Sequence, residues 1–234
     1  MSITRQIKEK ILEYKTGDLI FATKLWQECF SHVTQTAYFK AIERLTKANV
    51  IMKVSKGTYC IPKASKYGLL PISSEQIIEY YLGKNMEHGL AVGYSLYAKK
   101  NLTTQIAKYS EYYSTLVEEN KKVINNLVLK KTVCKITPKT KNIIETLEIL
   151  QNFSTIQEFN YKAFIEYCLL IASNHDEKSF EAVIHAINYK KSTLAFYKQI
   201  LNYYNVKNNV DKSLSAFSNY NIPSMRCLNE FAQQ

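Results

Sequence analysis

VTQTAYFKAIERLTKANVIMKVSKGTYCIP, residues 33–62, carries a helix, a turn and two short strands in close succession. Thr34 or Thr36 caps a helix whose apolar side is Tyr38, Ala41, Ile42 and Leu45, spaced to fall on one helical face. The opposite side carries Gln35, Phe39, Lys40, Arg44 and Lys47. Asn49 follows as a left-handed stop. VIMKV (50–54) and TYCIP (58–62) read as short strands joined by Ser55-Lys56-Gly57, with glycine supplying the positive φ of a hairpin turn.

Upstream, Ile3, Ile7, Ile11 and Leu12 recur at helical spacing up to Gly17. LIF (19–21) is strand-like, and Thr23 is placed to cap a brief helix through Leu25, Trp26 and Phe30. Helix, strand, helix, helix, hairpin is the order of a winged helix-turn-helix. In that architecture the last helix enters the major groove with the residues at its N-terminal end on base edges. Thr34, Gln35, Thr36, Phe39 and Lys40 hold that end and outer side, while Arg44 and Lys47 lie further along, toward phosphate. Gln35 suits adenine, and an exposed Phe39 suits a thymine methyl, although a core position fits Phe39 equally well. Lys53, Lys56 and Thr58 place donors on the wing.

Downstream, PKASKYGLLP (62–71), with one glycine and two prolines, reads as the linker between two regions. Ser73 and Gln76 form a capping box for a helix that stops at Gly83. Residues 88–105 read as a small helix and turn, and 109–117 with 123–137 as strands of a small antiparallel sheet. From Thr137-Pro138, a cap followed by proline at the first helical position, apolar stripes mark successive helices. Residues 205–221 read as a polar loop before a short terminal helix. The fold class expected is α+β, mainly α. Residues 1–66 form the winged helix-turn-helix and 67–234 a second domain, with helices plus a small sheet over 67–136 and helices over 137–234.

Charge agrees with the first domain's reading. The net charge is +11, and residues 1–66 carry 12 Lys/Arg against 5 Asp/Glu, leaving 19 against 15 for the remainder. A basic excess concentrated in the first quarter points to an anionic partner, with nucleic acid ahead of a membrane surface. Five scattered cysteines, with no CxxC and no Cys/His cluster, argue against a disulfide framework and a zinc site. The N-terminus has no apolar signal core, and YCLLIAS (167–173) is too short to span a bilayer, so a cytoplasmic location is expected. No phosphate loop, nucleophile elbow, dinucleotide fingerprint or metal-spaced histidine pair appears, so neither an enzyme nor a cofactor is expected. His185 reads as structural, and His175-Asp176-Glu177 as a helix start where acids favour the amino end. A Cys134 nucleophile lacks an evident partner.

Three stretches together resemble a known family. GDLIFATKLW (17–26), the segment AIERLTKANVIMKVSKGTYCIP (41–62) and LPISSEQIIEYYL (70–82) look like the N-terminal half of AbiEi-type antitoxins. Arg44-Leu45-Thr46-Lys47 and Val54 to Pro62 match that family's helix centre and wing, and Gly93, Leu96, Leu102, Thr103, Thr104 and Gln105 match its following core. The resemblance covers about residues 5–135 and is loose beyond 137. This wing carries lysine where relatives carry arginine, so Lys53 and Lys56 stand in without arginine's bidentate fork. The resemblance implies the antitoxin of a type IV toxin–antitoxin system, linked to abortive phage infection. Such a protein represses its own operon through inverted repeats in double-stranded operator DNA. It neutralises a nucleotidyltransferase-like toxin without a stable complex with it. The second domain would supply that antitoxin function and self-association as a homodimer. Three rival readings stay open: a winged domain that docks a protein, a general transcriptional regulator without an antitoxin role, and an enzyme acting on nucleic acid.

Overall fold

In the computed structural model, which describes residues 2–215 and 219–233, the chain divides into two units. One takes in the residues up to Tyr80 together with Val123–Asn125; the other takes in Tyr81–Lys122 and the chain from Asn126.

The first unit runs α1 (Ile3–Ile11), β1 (Leu19–Phe21), α2 (Ala22–Cys29), α3 (Gln35–Lys47), β2 (Met52–Ser55) and β3 (Thr58–Cys60). The three strands make an antiparallel sheet in the order β1-β3-β2. This is the winged helix-turn-helix order. Ile7 and Ile11 of α1 pack with Tyr38, Ala41, Ile42 and Leu45 of α3, all of them buried. Each Ile or Leu side chain among them, withdrawn from water, is worth roughly 1.5–3 kcal/mol. Strand alternation divides the sheet's two faces. Ile20 and Tyr59, paired in register, join the helical core. Leu19, Phe21, Thr58 and Cys60 turn to the other face, where the Phe21 ring meets Tyr80 at 5.6 Å between centroids.

Local signals explain most of these boundaries. Thr34 is the N-cap of α3, its hydroxyl accepting from the Ala37 amide in a long bond of 3.4 Å. Asn49 adopts φ 56° just past the helix, and Gly57 adopts φ 72° in the wing turn. Thr23, expected to cap α2, lies inside it: Phe21 occupies the N-cap and brings no side-chain bond. The strand pairing of Phe21 with Thr58 sets that start instead of a cap.

The stretch expected as a linker holds a second hairpin, β4 (Lys63–Ser65) and β5 (Gly68–Leu70). It clusters with the first unit, so the division falls after Tyr80 and not at 66/67. In α4 (Ser74–Leu82), Ser73 and Gln76 complete the expected capping box, with bonds of 3.3 Å and 3.1 Å.

In the remainder, β6 (Gly89–Val92) and α5 (Tyr94–Lys99) replace the helix and turn expected over 88–105. β7 (Ser110–Ser114), β8 (Lys121–Ile124) and β9 (Leu127–Lys131) complete a four-stranded sheet in the order β6-β7-β9-β8. The small sheet expected from two segments over 109–137 is therefore present, with four strands. Its β6–β7 pair is antiparallel and its β7–β9 pair parallel. The parallel pair arises because β9 returns into the place between β7 and β8.

Helices α6 (Pro138–Asn152), α7 (Tyr161–Ser173), α8 (Glu177–Ala186), α9 (Lys191–Tyr203) and α10 (Met225–Ala232) follow, as the apolar stripes indicate. α6 opens on Thr137 and Pro138 as expected, then runs buried from Ile143 to Leu150 against α7, α8, α9 and β6. A helix buried this fully must satisfy its charges internally. Glu145 receives the Lys100 ammonium at 2.8 Å, and Glu148 the Tyr113 hydroxyl at 3.0 Å. Part of the polar loop expected over 205–221, residues 216–218, lies outside the described residues. Among the described residues no helix is long and apolar enough to cross a membrane.

Candidate nucleic-acid interface

The turn into α3 is fixed from two sides. The Trp26 indole on α2 donates to the Val33 carbonyl at 2.9 Å, and the Val33 amide donates to the Phe30 carbonyl at 2.9 Å. Thr34 then starts the helix. Burial of Tyr38, Ala41, Ile42 and Leu45 turns Gln35, Thr36, Lys40, Glu43, Arg44 and Lys47 outward, all of them exposed.

Eight of the ten expected contact residues stand where a ligand can reach them. Thr34, Gln35, Thr36, Lys40, Arg44, Lys47, Lys53 and Lys56 are exposed. Among the described residues Lys40, Arg44, Lys53 and Lys56 have no carboxylate in salt-bridge range. Lys47 differs: its ammonium lies 2.6 Å from Glu43. The Lys47 bond lowers the Glu43 carboxyl pKa, so that acid is ionised at neutral pH.

One open alternative takes an intermediate answer, and one expectation needs correction. Phe39 is half-buried, its ring edge-on to Tyr38 at 5.3 Å and packed against the first unit's core. A thymine methyl meets only part of it, because α3's apolar stripe is wide enough to take in position 39. Thr58 is 1% exposed and lies opposite Phe21 and Ser55 in the sheet. Alternation turns its side chain off the solvent face, so it offers no donor to a ligand.

Reading the sequence missed Glu43, which sits among the exposed cations of α3. The Glu-x-x-x-Lys spacing of 43 and 47 was the available signal. It also missed that residues 44–74 contain no acid at all, while Arg44, Lys47, Lys53, Lys56, Lys63 and Lys66 fall within them. This acid-free stretch runs from mid-α3 through both hairpins.

The second unit offers polar clusters of another kind. His175 Nδ1 lies 2.8 Å from the Tyr197 hydroxyl and its Nε2 lies 3.2 Å from Glu177, which also accepts from the Asn209 amide at 3.1 Å. Asp176 caps α8, accepting from the Ser179 amide at 3.0 Å and from Lys139 at 2.7 Å; these bonds hold its carboxyl pKa far below the usual range. His185 is exposed and binds the Glu181 carbonyl of its own helix at 2.7 Å. Cys134 is 3% exposed, and burial pushes its thiol pKa up, the opposite of what a nucleophile needs. Lys139 ties α6 to the start of α8, and His175 ties that start to α9.

No protein-family model matches the chain, and no curated protein matches it significantly. Among solved structures the chain is similar to the RV2827C protein from Mycobacterium tuberculosis, with a TM-score of 0.42 and 7% identity, over 85% of this chain and 76% of that one. A likeness at this level carries no reading of function.

Proposed function

We propose that this chain is a winged-helix repressor that binds operator DNA, and that it serves as the antitoxin of a type IV toxin–antitoxin system. One observation carries the DNA reading: Lys40, Arg44, Lys53 and Lys56 stand exposed on the outer side of α3 and on the wing, with no carboxylate in salt-bridge range among the described residues. Unpaired cations on a groove-sized helix and its adjoining hairpin suit a phosphate backbone. Gln35 and Thr36, at the helix's amino end, carry the base-reading groups. Repression is steric: α3 in the major groove and the wing on the backbone exclude polymerase. The antitoxin role is supported by the sequence resemblance over about residues 5–135.

The test is fluorescence anisotropy of the purified chain with the DNA immediately upstream of its own gene, at several salt concentrations. A Lys40→Glu/Arg44→Glu variant runs beside it. Tight, salt-steep binding that the variant loses is the expected result. No preference over random DNA, or a variant that binds like the parent, moves the protein-docking reading to first place. Growth rescue on co-expression with a neighbouring nucleotidyltransferase-like gene tests the antitoxin role separately.

A further inference from the structure

A hairpin of two three-residue strands is not stable in water by itself, so one held clear of the core calls for a reason. Lys63–Leu70 is such a hairpin. All its residues but Ser65 are exposed, with Tyr67 at 85%, Leu69 at 41% and Leu70 at 47%. Its turn is locally fixed: the Ser65 hydroxyl donates to the Gly68 carbonyl at 2.8 Å and accepts from the Tyr67 amide at 3.2 Å. Gly68 takes φ 112°, a conformation that suits glycine. The Lys66 ammonium lies 4.9 Å from the centre of the Tyr67 ring, so the tip presents a cation and an aromatic face together.

Charge identifies the occupant. Among the described residues neither Lys63 nor Lys66 has a carboxylate in salt-bridge range, and the acid-free stretch 44–74 includes the whole hairpin. Two copies meeting here would bring four lysines together without an acid between them. A polyanion with apolar sugar faces fits both features, and only Ile61-Pro62 separates this hairpin from the wing strand β3.

We propose that β4–β5 is a second wing on the same duplex, with Lys63 and Lys66 on phosphates and Tyr67 against a deoxyribose. This rests on the DNA reading above.

The experiment compares the full chain with a Lys63→Gln/Lys66→Gln/Tyr67→Ser variant on the upstream DNA, by salt-dependent anisotropy and hydroxyl-radical footprinting. Thermal melts confirm that both are folded. Removing two phosphate contacts should reduce the log–log salt slope by about 1.8, so that the variant loses about 12-fold less affinity over a fourfold rise in salt. The footprint should shorten on one flank. A parent that binds steeply beside a variant with the same slope and footprint overturns the second wing and leaves the α3 reading standing; a parent that binds no DNA overturns both. Loss of self-association in the variant with an unchanged salt slope also overturns it, in favour of a second copy as occupant. Should the triple variant melt early, single Lys66→Glu and Lys66→Gln variants decide the matter. Weaker binding by the acid supports the proposal, and equal binding overturns it.

Discussion

The Trp26 indole N–H and the Val33 carbonyl, 2.9 Å apart, tie α2 to the turn that launches α3. The bond spans the helix-turn-helix corner, so it sets where Thr34 caps the following helix. Trp26→Phe keeps an aromatic ring and leaves the carbonyl unpaired. It should cost about 1 kcal/mol in urea unfolding. Trp26→Ala, which also loses ring packing, should cost more. Equal stability of Trp26→Phe and the parent would show that this bond contributes nothing.

Lys47 is the one expected phosphate contact held by an acid. Glu43→Gln releases it and removes a negative charge from the exposed face of α3. Affinity for DNA should rise and the log–log salt slope should steepen by about 0.9. Because surface pairs of this kind are worth about 0–1 kcal/mol, the melting temperature should hardly change. Weaker DNA binding would assign Glu43 a direct role in base reading.

Tyr38 is fully buried in the first core, and its hydroxyl has no hydrogen-bond partner among the described residues. Burial pushes its pKa well above the usual tyrosine value. Tyr38→Phe therefore removes a desolvated polar atom without opening a cavity, and should stabilise the protein by about 1 kcal/mol. A destabilised variant would reveal a bonded hydroxyl.

At Gly89 in β6 a Cβ would lie 2.2 Å from the Tyr113 carbonyl oxygen of the neighbouring strand. Backbone on that side cannot yield as a side chain would. Gly89→Ala should cost roughly 3 kcal/mol or more, at the severe end for point substitutions. Gly57→Ala in the wing meets nothing within 4 Å and bears only the strain of φ 72°. That strain amounts to about 1–2 kcal/mol. Comparable melting temperatures for the two would contradict the close approach.

Burial raises the Glu148 pKa, against the opposing pull of Lys130 and the Tyr113 hydroxyl. A carboxyl that holds its proton more tightly when folded adds stability that is fully present below its unfolded pKa of about 4.3 and is lost as pH rises through the folded value. Glu148→Gln keeps an oxygen to accept from Tyr113 and cannot ionise. Between pH 4.5 and pH 8 the parent's melting temperature should fall relative to the variant's. Parallel profiles would remove Glu148 from the pH response.

Where a decisive signal was local, the sequence was legible. Thr34, Asn49, Gly57, the Ser73/Gln76 box and Thr137-Pro138 all act through bonds or dihedrals within a few residues, and each is found in its expected role. The cations of the candidate site were legible for the same reason, since helical period alone turns Lys40 and Arg44 away from Tyr38 and Leu45.

The misreadings depend on partners distant in the chain. Thr58 is buried through pairing with Phe21, 37 residues earlier. The β4–β5 hairpin hid under the glycine and prolines that suggest a linker, and β6 is a strand because β7 pairs with it. The parallel β7–β9 register depends on a strand returning between two others, which no local spacing records.

The order of elements in the first unit, the cationic outer side of α3 and the run of helices after 137 follow from periodicity, caps and charge, which are properties of neighbouring residues. Long-range packing settles which of those cations lack an acid in reach among the described residues, that Phe39 is half-buried and Thr58 buried, and that Lys63–Leu70 is an exposed hairpin. Those outcomes depend on which surfaces meet, and burial and ion pairing are fixed only when they do.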